Sequence, residues 1–504
     1  MSNRVGKVLA LAMMLMATAL PLMAQGKSAT AGPPQFLTFP ILMHVGEEGL
    51  DHGHFVFAEE AAVPAPLAHD AGSAAYVPAT TTGTLAITAG SDVNVSNSPS
   101  SYEGETGVAA TATLMVGGSN HIFPGACSST NICAPYAYAS STGTSWSHTV
   151  LPLTWNGTTL GIGFDPGVDY DKNGVFYFSY GVAPLSGSYP NGIVMVKSTN
   201  GTTWTQVTPV TFNRNKSFDD KYYLAIDRST SSFANRIYVS WDRNSGNNQT
   251  LYLAYSSNGG STWSAPIKVN DGTTKFERVI GAYPAVAQQT AGGVAAGTVF
   301  DSWHDYAKNK IFVDKSTNGG VSWGTDVAAA TTHAGFGQDI GCVGGRSQGP
   351  AHAIKVGPSG AIYLVYADPV TGRGFDILFT KSTDGGASWS TPKSVNDDSG
   401  AADQFHPTLS VESNGAGGDK VTISFYDRRE DSSNCLAHVF ATQSTDNGAT
   451  FSANVKVTTA PSNFNGNPNG PGDYSSSHPF ASGVFPLFSD HRASDFEIYT
   501  GKIQ

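Results

Sequence analysis

The chain has 504 residues, of which 57 are glycine and 27 are proline, and only 13% are charged. This composition is typical of a folded protein that is rich in turns and poor in helix-forming residues, and it excludes a disordered chain. The formal net charge is −11. An acidic chain lacks the basic surface that a general nucleic-acid-binding protein needs, so we expect no nucleic-acid partner.

The first 24 residues have the pattern of a secretory signal peptide. Arg4 and Lys7 precede an apolar run at 8–20, and Ala24 provides a small residue for cleavage. The run is shorter than the ~20 apolar residues that cross a bilayer, so we expect no membrane span after cleavage. We therefore expect a secreted or periplasmic protein. Residues 25–80 are rich in alanine and proline, and they are interpreted as a poorly structured linker or leader arm.

Four cysteines occur in this exported chain, an even number that suggests disulfides. Cys127 and Cys133 enclose a five-residue loop and are predicted to pair with each other. Cys342 and Cys435 would then form a long-range bridge. The spacing of the four residues fits no zinc site, so the cysteines predict no metal centre.

One short motif recurs six times with a spacing of about 60 residues. Each copy begins with serine, contains a glycine and ends with an aromatic residue. The copies are 140–146, 198–204, 256–263, 316–323, 382–389 and 444–451. Serine and Asp/Asn side chains stabilise tight turns, and glycine supplies a positive φ. A fixed period of this length predicts a repeat architecture.

Each period contains four short β-strand patterns and no helical periodicity, which predicts an all-β fold made of propeller blades. Six periods carry the motif, and a seventh group of three strands runs from residue 472 to the C-terminus. Residues 92–96 are predicted to supply its missing strand and so to close the ring. We therefore predict a seven-bladed β-propeller at residues 81–504, with six blades as the alternative if residues 100–150 prove irregular.

The recurring motif resembles the Asp-box, or BNR repeat, of sialidases and related carbohydrate-active propellers, with the pattern Ser-x-Asp-x-Gly-x-Thr-Trp. Asp384 and Asp446 match its aspartate, asparagine replaces it in three copies, and Thr142 replaces it in the first. The resemblance covers residues 100–504 and implies a glycan-acting propeller. In this family the boxes lie away from the active site, so Asp384 and Asp446 are expected to form turns.

In a propeller, the starts of the inner strands and the ends of the second strands converge on one end of the central channel. The predicted inner-strand starts supply Glu103, Glu105, Asp165, Asp219, Asp220, Lys221, Tyr283, Arg346, His406, Asp473 and Tyr474. The resemblance implies a tyrosine nucleophile, a glutamate that polarises it and an aspartate acid/base. Tyr474, Glu105 and Asp220 are the candidates for these catalytic roles, with Glu103 as the other possible polarising glutamate. The alternative is a polar channel lining.

The resemblance also implies three arginines that bind the carboxylate of an acidic sugar. Arg243, Arg428 and Arg492 are the candidates, because each follows an aspartate at an equivalent blade position. The alternative is that repeated Asp–Arg pairs join neighbouring blades. The Arg-Ile-Pro segment of the sialidases is absent from the first blade.

Other side chains near the predicted channel suit a sugar ligand. Trp303 and Tyr426 are candidate stacking surfaces, and His304 and His406 are candidate bases for a lyase that acts on uronic acids. The segment 169–174 resembles the start of a calcium loop, but residue 180 is tyrosine rather than the closing glutamate. We therefore favour a hairpin turn at 169–174, with no cofactor required and Ca²⁺ left open.

These patterns leave three functions open, all with extracellular carbohydrate as the partner. The first is a sialidase-like glycoside hydrolase, the second a non-catalytic glycan-binding or adhesion propeller, and the third a polysaccharide lyase. We also expect a monomer. Fold alone does not choose among these functions.

Overall fold

The computed structural model describes residues 72–504 except for short gaps, so the predicted signal peptide and residues 25–71 of the predicted linker lie outside the described residues. The gaps are 83–84, 99–100, 123–126, 128–132, 156, 185–190, 215–216, 246–247, 273–277, 336–337, 339, 343–351, 466–469 and 494. The regular secondary structure in the described part is β-strand. No helix there is long and apolar enough to cross a membrane.

The described strands form a seven-bladed β-propeller of antiparallel sheets, as the sequence period predicted. Blade 1 contains Tyr102–Ala110, Met115–Ile122, Tyr136–Ser140 and Ser147–Val150. Blade 2 contains Ile162–Tyr170, Phe176–Ala183, Asn191–Ser198 and Thr205–Gln206, with Thr211–Arg214 paired to its third strand. Blade 3 contains Phe218–Ile226, Ile237–Ser245, Asn248–Ser256 and Ile267–Lys268. Because the four described strands between residues 102 and 150 form a regular blade, the six-blade alternative is wrong.

The remaining four blades continue the same up-and-down order. Blade 4 contains Val279–Val286, Val299–Asp305, Lys310–Ser316 and Val327–Thr331, and blade 5 contains His352–Val356, Ile362–Val370, Gly374–Ser382 and Lys393–Ser394. Blade 6 contains Gln404–Ser413, Asp419–Asp427, His438–Ser444 and Val455–Lys456, and blade 7 contains Ser476–Phe480, Gly483–Asp490, Glu497–Thr500 and Val93–Asn94. Two further pairs are Thr80–Thr81 with Thr450–Phe451, and Thr154–Trp155 with Thr158–Thr159.

Segments before the first blade pair with the last three blades. Val93 pairs with Thr500 in an antiparallel register, so Val93–Asn94 forms the outer strand of blade 7. Further upstream, Ala74 bridges to Val370 of blade 5. Thr80–Thr81 runs parallel to Thr450–Phe451 of blade 6. The Val93–Asn94 pairing covers the outer edge of blade 7, which would otherwise present unpaired backbone groups to solvent.

The hydrophobic core lies between neighbouring blades. Alternation along each strand places one set of apolar side chains on each face of a sheet, and the sets from adjacent sheets pack together. Trp241, Trp303, Tyr363 and Tyr366 are among the largest side chains with essentially no exposed surface. Because these rings fill the space between blades, the inner strands are held in fixed positions around the central channel.

The six motif copies form tight turns between the third strand of a blade and the segment that follows. In each copy the serine hydroxyl accepts a hydrogen bond from the glycine N–H, at 2.8 Å for Gly448 and 2.9 Å for Gly386. Asp384 caps its turn by accepting the N–H of Ser388 at 2.9 Å. Asp384 therefore stabilises a turn, as the sequence predicted.

Both predicted disulfides are present. Cys127 and Cys133 have Cα atoms 5.3 Å apart, and Cys342 and Cys435 have Cα atoms 5.2 Å apart. The second disulfide therefore links two neighbouring blades, because Cys342 lies ahead of the inner strand of blade 5 and Cys435 lies ahead of the third strand of blade 6.

Candidate functional site

A β-bulge near the start of the inner strand recurs in five blades. At each bulge the pairing with the second strand shifts, and one residue has a positive φ. These residues are Glu105 (56°), Asp165 (56°), Lys221 (48°), Gly281 (74°) and His406 (47°). A bulge re-aims a side chain, and a positive φ is uncommon for residues other than glycine. Four of the five bulges therefore hold a titratable side chain in an unusual backbone conformation.

Three of these bulged residues meet in one cluster. The Lys221 ammonium donates to Asp473 Oδ2 at 2.6 Å, and it lies 3.8 Å from Asp165 Oδ2 and 4.0 Å from Glu105 Oε1. We call Lys221, Glu105, Asp165 and Asp473 the Lys221 cluster. It joins blades 1, 2 and 3 to the segment that leads into blade 7.

Hydrogen bonds within the cluster fix its carboxylates. Glu105 accepts from Asn120 Nδ2 at 2.6 Å and from the backbone N–H of Asp473 at 3.2 Å. The side chain of Glu105 is 2% exposed, whereas that of Asp473 is 16% exposed. Asp473 is therefore the carboxylate of the cluster that a ligand reaches most easily.

Burial and neighbouring charges shift the pKa values of groups in and beside the cluster. Burial raises the pKa of Asp165 to about 6, although the Lys221 charge opposes that shift. Burial works against the charged form of Lys221, but Asp165 and other carboxylates outweigh it and raise the lysine pKa. Asp242 lies opposite Asp220 in the strand register. Burial raises the pKa of Asp242 well above its usual range, and the negative charge of Asp220 raises it further.

Tyrosine rings adjoin the cluster. Tyr474 lies 5.2 Å from Tyr223 between ring centroids, and Tyr223 stacks on Tyr283 at 4.5 Å. Burial raises the pKa of Tyr474 well above its usual value, and Asp165 and Glu105 raise it further. The predicted catalytic residues Glu105 and Tyr474 are therefore brought near each other, but the tyrosine is held in its protonated form.

The two candidate histidines differ in their surroundings. His406 occupies a bulge, and burial lowers its pKa to about 4, although Asp473 opposes that shift. Its Nδ1 has no hydrogen-bond partner among the described residues. His304 bonds to Thr332 at 2.7 Å and packs 3.6 Å from Tyr306 between ring centroids. His406 is thus a neutral imidazole at pH 7 that is influenced by the charge of Asp473 in the Lys221 cluster.

The three candidate arginines are each bound by their own neighbours. Arg243 forms two hydrogen bonds to Asp219, at 2.5 and 2.9 Å. Arg428 is fully buried and donates to two backbone carbonyls, those of residues 340 and 341, at 3.0 and 2.7 Å. Arg492 binds Asp490 and Asp92. Arg243 and Arg492 pair with carboxylates of their own blades. This geometry supports neither the carboxylate clamp nor Asp–Arg pairs that join neighbouring blades, and both stay predictions.

The candidate stacking residues are also internal. Trp303 and Tyr426 are each 1% exposed, and the Tyr426 hydroxyl donates to the Ser489 carbonyl at 2.5 Å. These positions leave the rings no free face for a sugar, and we assign both to the core. Alternation in the second strand explains this, because these residues point between blades rather than into the channel.

The segment 169–174 forms the favoured hairpin turn. Asp171 Oδ1 accepts the N–H groups of Asn173 and Val175, at 2.9 and 3.0 Å. Asp169 instead forms an ion pair with Arg228. The two carboxylates are used by different partners, and the described residues contain no cluster of three or more His, Cys, Asp or Glu that suits a metal ion.

Sequence reasoning placed Lys221, Asp165 and Asp473 near the channel but gave them no role. The missed signal was positional, because Glu105, Asp165 and Lys221 occupy equivalent bulges in three consecutive blades. Arg346, also predicted at an inner-strand start, lies outside the described residues.

Comparison with known proteins gives only distant likenesses. No family model and no curated protein matches the chain. Similar solved structures include a Dyadobacter fermentans protein of unknown function, with 11% identity, 83% of this chain and 99% of that chain covered, and a TM-score of 0.46. Another is the Hadza microbial sialidase Hz136, with 15% identity, 75% of each chain covered and a TM-score of 0.43. A third is a polysaccharide lyase, ulvan lyase, with 11% identity, 85% of this chain and 95% of that chain covered, and a TM-score of 0.45. The latter two are glycan-acting enzymes, and similarity this low assigns no activity to this chain.

Proposed function

We propose that this protein is an exported glycoside hydrolase that acts on extracellular carbohydrate at the Lys221 cluster. The observation that carries the proposal is a raised-pKa carboxyl group, Asp165, held beside further carboxylates around one lysine. Glycosidases use two carboxyl groups in different protonation states, one as an acid and one as a base or nucleophile. The Lys221 cluster contains groups suited to both roles.

Asp165 is the proposed general acid. With a pKa of about 6, a substantial fraction of its carboxyl groups retains a proton in mildly acidic solution. Such a group can protonate the glycosidic oxygen as the bond to the leaving sugar breaks. Its bulged backbone holds the side chain away from the regular strand direction.

Asp473 is the proposed ionised partner. The Lys221 ammonium bonds to it at 2.6 Å, which favours the carboxylate form that a base or nucleophile requires. Asp473 is also the most exposed carboxylate of the cluster. Glu105 accepts the Asp473 backbone N–H and is therefore proposed as a positioning residue.

The more specific prediction, that the enzyme is a sialidase, is not part of this proposal. It requires Tyr474 to lose its proton, and burial beside carboxylates opposes that loss. It also requires free arginines, whereas Arg243 and Arg492 are already paired with carboxylates. A carboxylate mechanism needs neither condition.

One observation favours a second candidate, a lyase acting on uronic acid polymers. Such an enzyme needs a neutral base to remove the proton next to the sugar carboxyl group. With a pKa of about 4, His406 is neutral at pH 7, and its Nδ1 has no hydrogen-bond partner among the described residues.

The test is an activity screen of the purified chain on neutral glycosides, sialosides and uronic acid polymers. The hydrolase proposal predicts release of reducing sugar that falls at least about 100-fold in Asp165→Asn, the typical size of a general acid effect. His406→Ala would abolish an unsaturated product if the lyase candidate were correct. Asp384→Asn, at an exposed turn, is the matched Asp-to-Asn control and should keep full activity. No product from any substrate, with glycan binding retained, would contradict both enzymes and favour the non-catalytic propeller.

A further inference from the structure

A polar cavity lies in the channel beyond the Lys221 cluster. It has a volume of about 180 Å³, and all seven inner strands or their approaches contribute to its wall. Its wall begins directly after the bulges, with Thr106 following Glu105 and Pro166 following Asp165. A water needs roughly 10–15 Å³ of such space, and sites for drug-sized ligands span about 300–1,000 Å³. The cavity therefore suits a small ligand together with some water.

The cavity exists because one position of the inner strand is small in several blades. Ala225, Ala285 and Ser410 each lie four residues after the positive-φ residue of their bulge. Like Ala225 and Ala285, Lys355 lies one residue before the last registered pair of its inner strand. In blade 5 this position carries the long cationic side chain of Lys355. The small residues at the equivalent positions leave space around it.

Lys355 has no acidic partner among the described residues. Its ammonium lies 5.5 Å from the centre of the Tyr283 ring, which also lines the cavity. The acid on the cavity wall, Asp169, is already paired with Arg228 through Nη1. The loops between the first two strands of each blade belong to the described residues. The cavity wall therefore carries one uncompensated positive charge.

The remaining wall can donate hydrogen bonds to an anion. Ser410 and Ser477 share one hydrogen bond at 2.8 Å, and one of their two hydroxyl protons is left to donate elsewhere. Burial lowers the pKa of His478 to about 4, so it adds no charge at pH 7. Arg228 adds donors besides Nη1, the nitrogen that binds Asp169.

From this geometry we infer that the cavity around Lys355 is a binding site for a small oxyanion, a phosphate or a carboxylate. The ammonium supplies the charge, and the serine hydroxyls supply neutral donors, which is the donor set that such anions require. The site is separate from the Lys221 cluster, where carboxylates outnumber the single lysine.

Titration calorimetry with inorganic phosphate and with acetate, in a low-salt buffer free of other oxyanions, tests the inference. We expect one site per chain for at least one of the two ions, and the preferred ion identifies the ligand class. Lys355→Met should weaken binding about tenfold or more, the loss expected for one charge-assisted hydrogen bond. Lys355→Arg should retain most of the affinity. Lys268→Met removes an equal charge from an exposed outer strand and should bind as the wild type does.

Two results would overturn the inference. One is the absence of a binding isotherm for both ions in the wild type. The other is equal affinity in Lys355→Met and Lys268→Met, which would place the ion elsewhere on the surface. If Lys355→Met fails to fold, a crystal structure of the wild type in phosphate locates the ion, and density for the ion away from Lys355 would overturn the inference.

Discussion

Lys221 is the residue on which the channel site depends. Its side chain is 9% exposed and lies within 4.0 Å of carboxylates from three other parts of the chain. A lysine that compensates several buried acids stabilises their ionised forms, and its removal leaves those charges without a partner. Lys221 is thus required both for the proposed chemistry and for the junction of the blades.

We predict that Lys221→Met lowers the free energy of unfolding by about 3–5 kcal/mol, the cost of removing one partner of a buried ion pair. The remaining carboxylates should also bind protons more readily, because the cation that opposes protonation of Asp165 is lost. Urea unfolding at several pH values measures both effects. Lys420→Met breaks a partly exposed pair with Glu412 and should cost less than about 1 kcal/mol. Equal losses in the two variants would contradict the prediction.

A second residue-scale feature is a like-charged contact between blades 3 and 4. Asp271 and Asp326 each accept the backbone N–H of the other, at 3.0–3.1 Å. Burial, with Asp271 and Asp314 adding to it, raises the pKa of Asp326 to about 7. Between blades 5 and 6 the same reciprocal contact pairs Asp397 with Asn454. The amide avoids the repulsion there.

We predict that Asp326→Asn makes the protein more stable at pH 8. The pKa of Asp326 in the folded protein lies above the unfolded value of roughly 3.9. The stability that the protonated carboxyl group contributes is therefore fully present below the unfolded pKa and is lost as the pH rises through the folded pKa of about 7. The asparagine variant should therefore lose less stability than the wild type between pH 5 and pH 8. Thermal unfolding across this range measures the difference.

Asp446→Asn is the control, because its expected effect on stability at pH 8 has the opposite sign. Burial opposes ionisation of Asp446, but hydrogen bonds from Thr450 outweigh it and lower its pKa. The stability that this group contributes is present at neutral pH and is lost as the pH falls through its folded value. Its replacement should destabilise the protein at pH 8, where Asp326→Asn stabilises it. A shift in the same direction for both variants would contradict the assignment.

At the scale of the element, each motif turn packs on the preceding blade. In each of three blades, one long cationic side chain donates a hydrogen bond to a backbone carbonyl in the motif turn of the next blade. The pairs are Arg236 with Gly319, Lys315 with Gly385, and Lys381 with Asn447. The turn glycines also lie close to side chains of the neighbouring sheet, as Gly448 does to Phe379. Glycine is therefore required both for φ and for this close approach.

We predict that Gly448→Ala destabilises the protein more than Gly372→Ala. Both glycines have positive φ, 71° and 77°, so both variants incur the left-handed cost of about 1–2 kcal/mol. A Cβ at residue 448 would lie 2.4 Å from the Phe379 ring, whereas a Cβ at residue 372 meets nothing within 4 Å. The clash should add about 1–3 kcal/mol. Chemical denaturation of the two variants compares them, and similar losses would show that the ring moves aside freely.

The elements also show how far the sequence alone could lead. The motif turns and the seven blades were predictable because serine, glycine and an aromatic residue repeat at a fixed period. The bulges were not, because Glu105, Asp165 and Lys221 adopt positive φ without the glycine that usually signals it. The burial of Trp303 and Arg428 was also hidden, because strand ends at a channel and strand interiors between blades carry similar residues. Composition alone does not give the direction of a side chain.

At the scale of the whole molecule, ring stability depends on links between segments far apart in sequence. Val93–Asn94 pairs with the last C-terminal strand, and Cys342 bonds to Cys435 across 93 residues. Such a disulfide restricts the unfolded chain far more than a local one does, because loop-closure entropy grows with loop length. The second disulfide, Cys127–Cys133, spans only 6 residues and provides an internal comparison.

We predict that C342S/C435S lowers the free energy of unfolding by about 2 kcal/mol more than C127S/C133S, following the dependence of loop entropy on the two loop lengths. Both double variants remove the same atoms and replace them with the same hydroxyl groups, so the difference isolates the length of the closed loop. Equilibrium urea unfolding under non-reducing conditions measures it. An equal loss in both variants would contradict the prediction, because the disulfide that closes the 93-residue loop would then stabilise the ring no more than the one that closes the 6-residue loop.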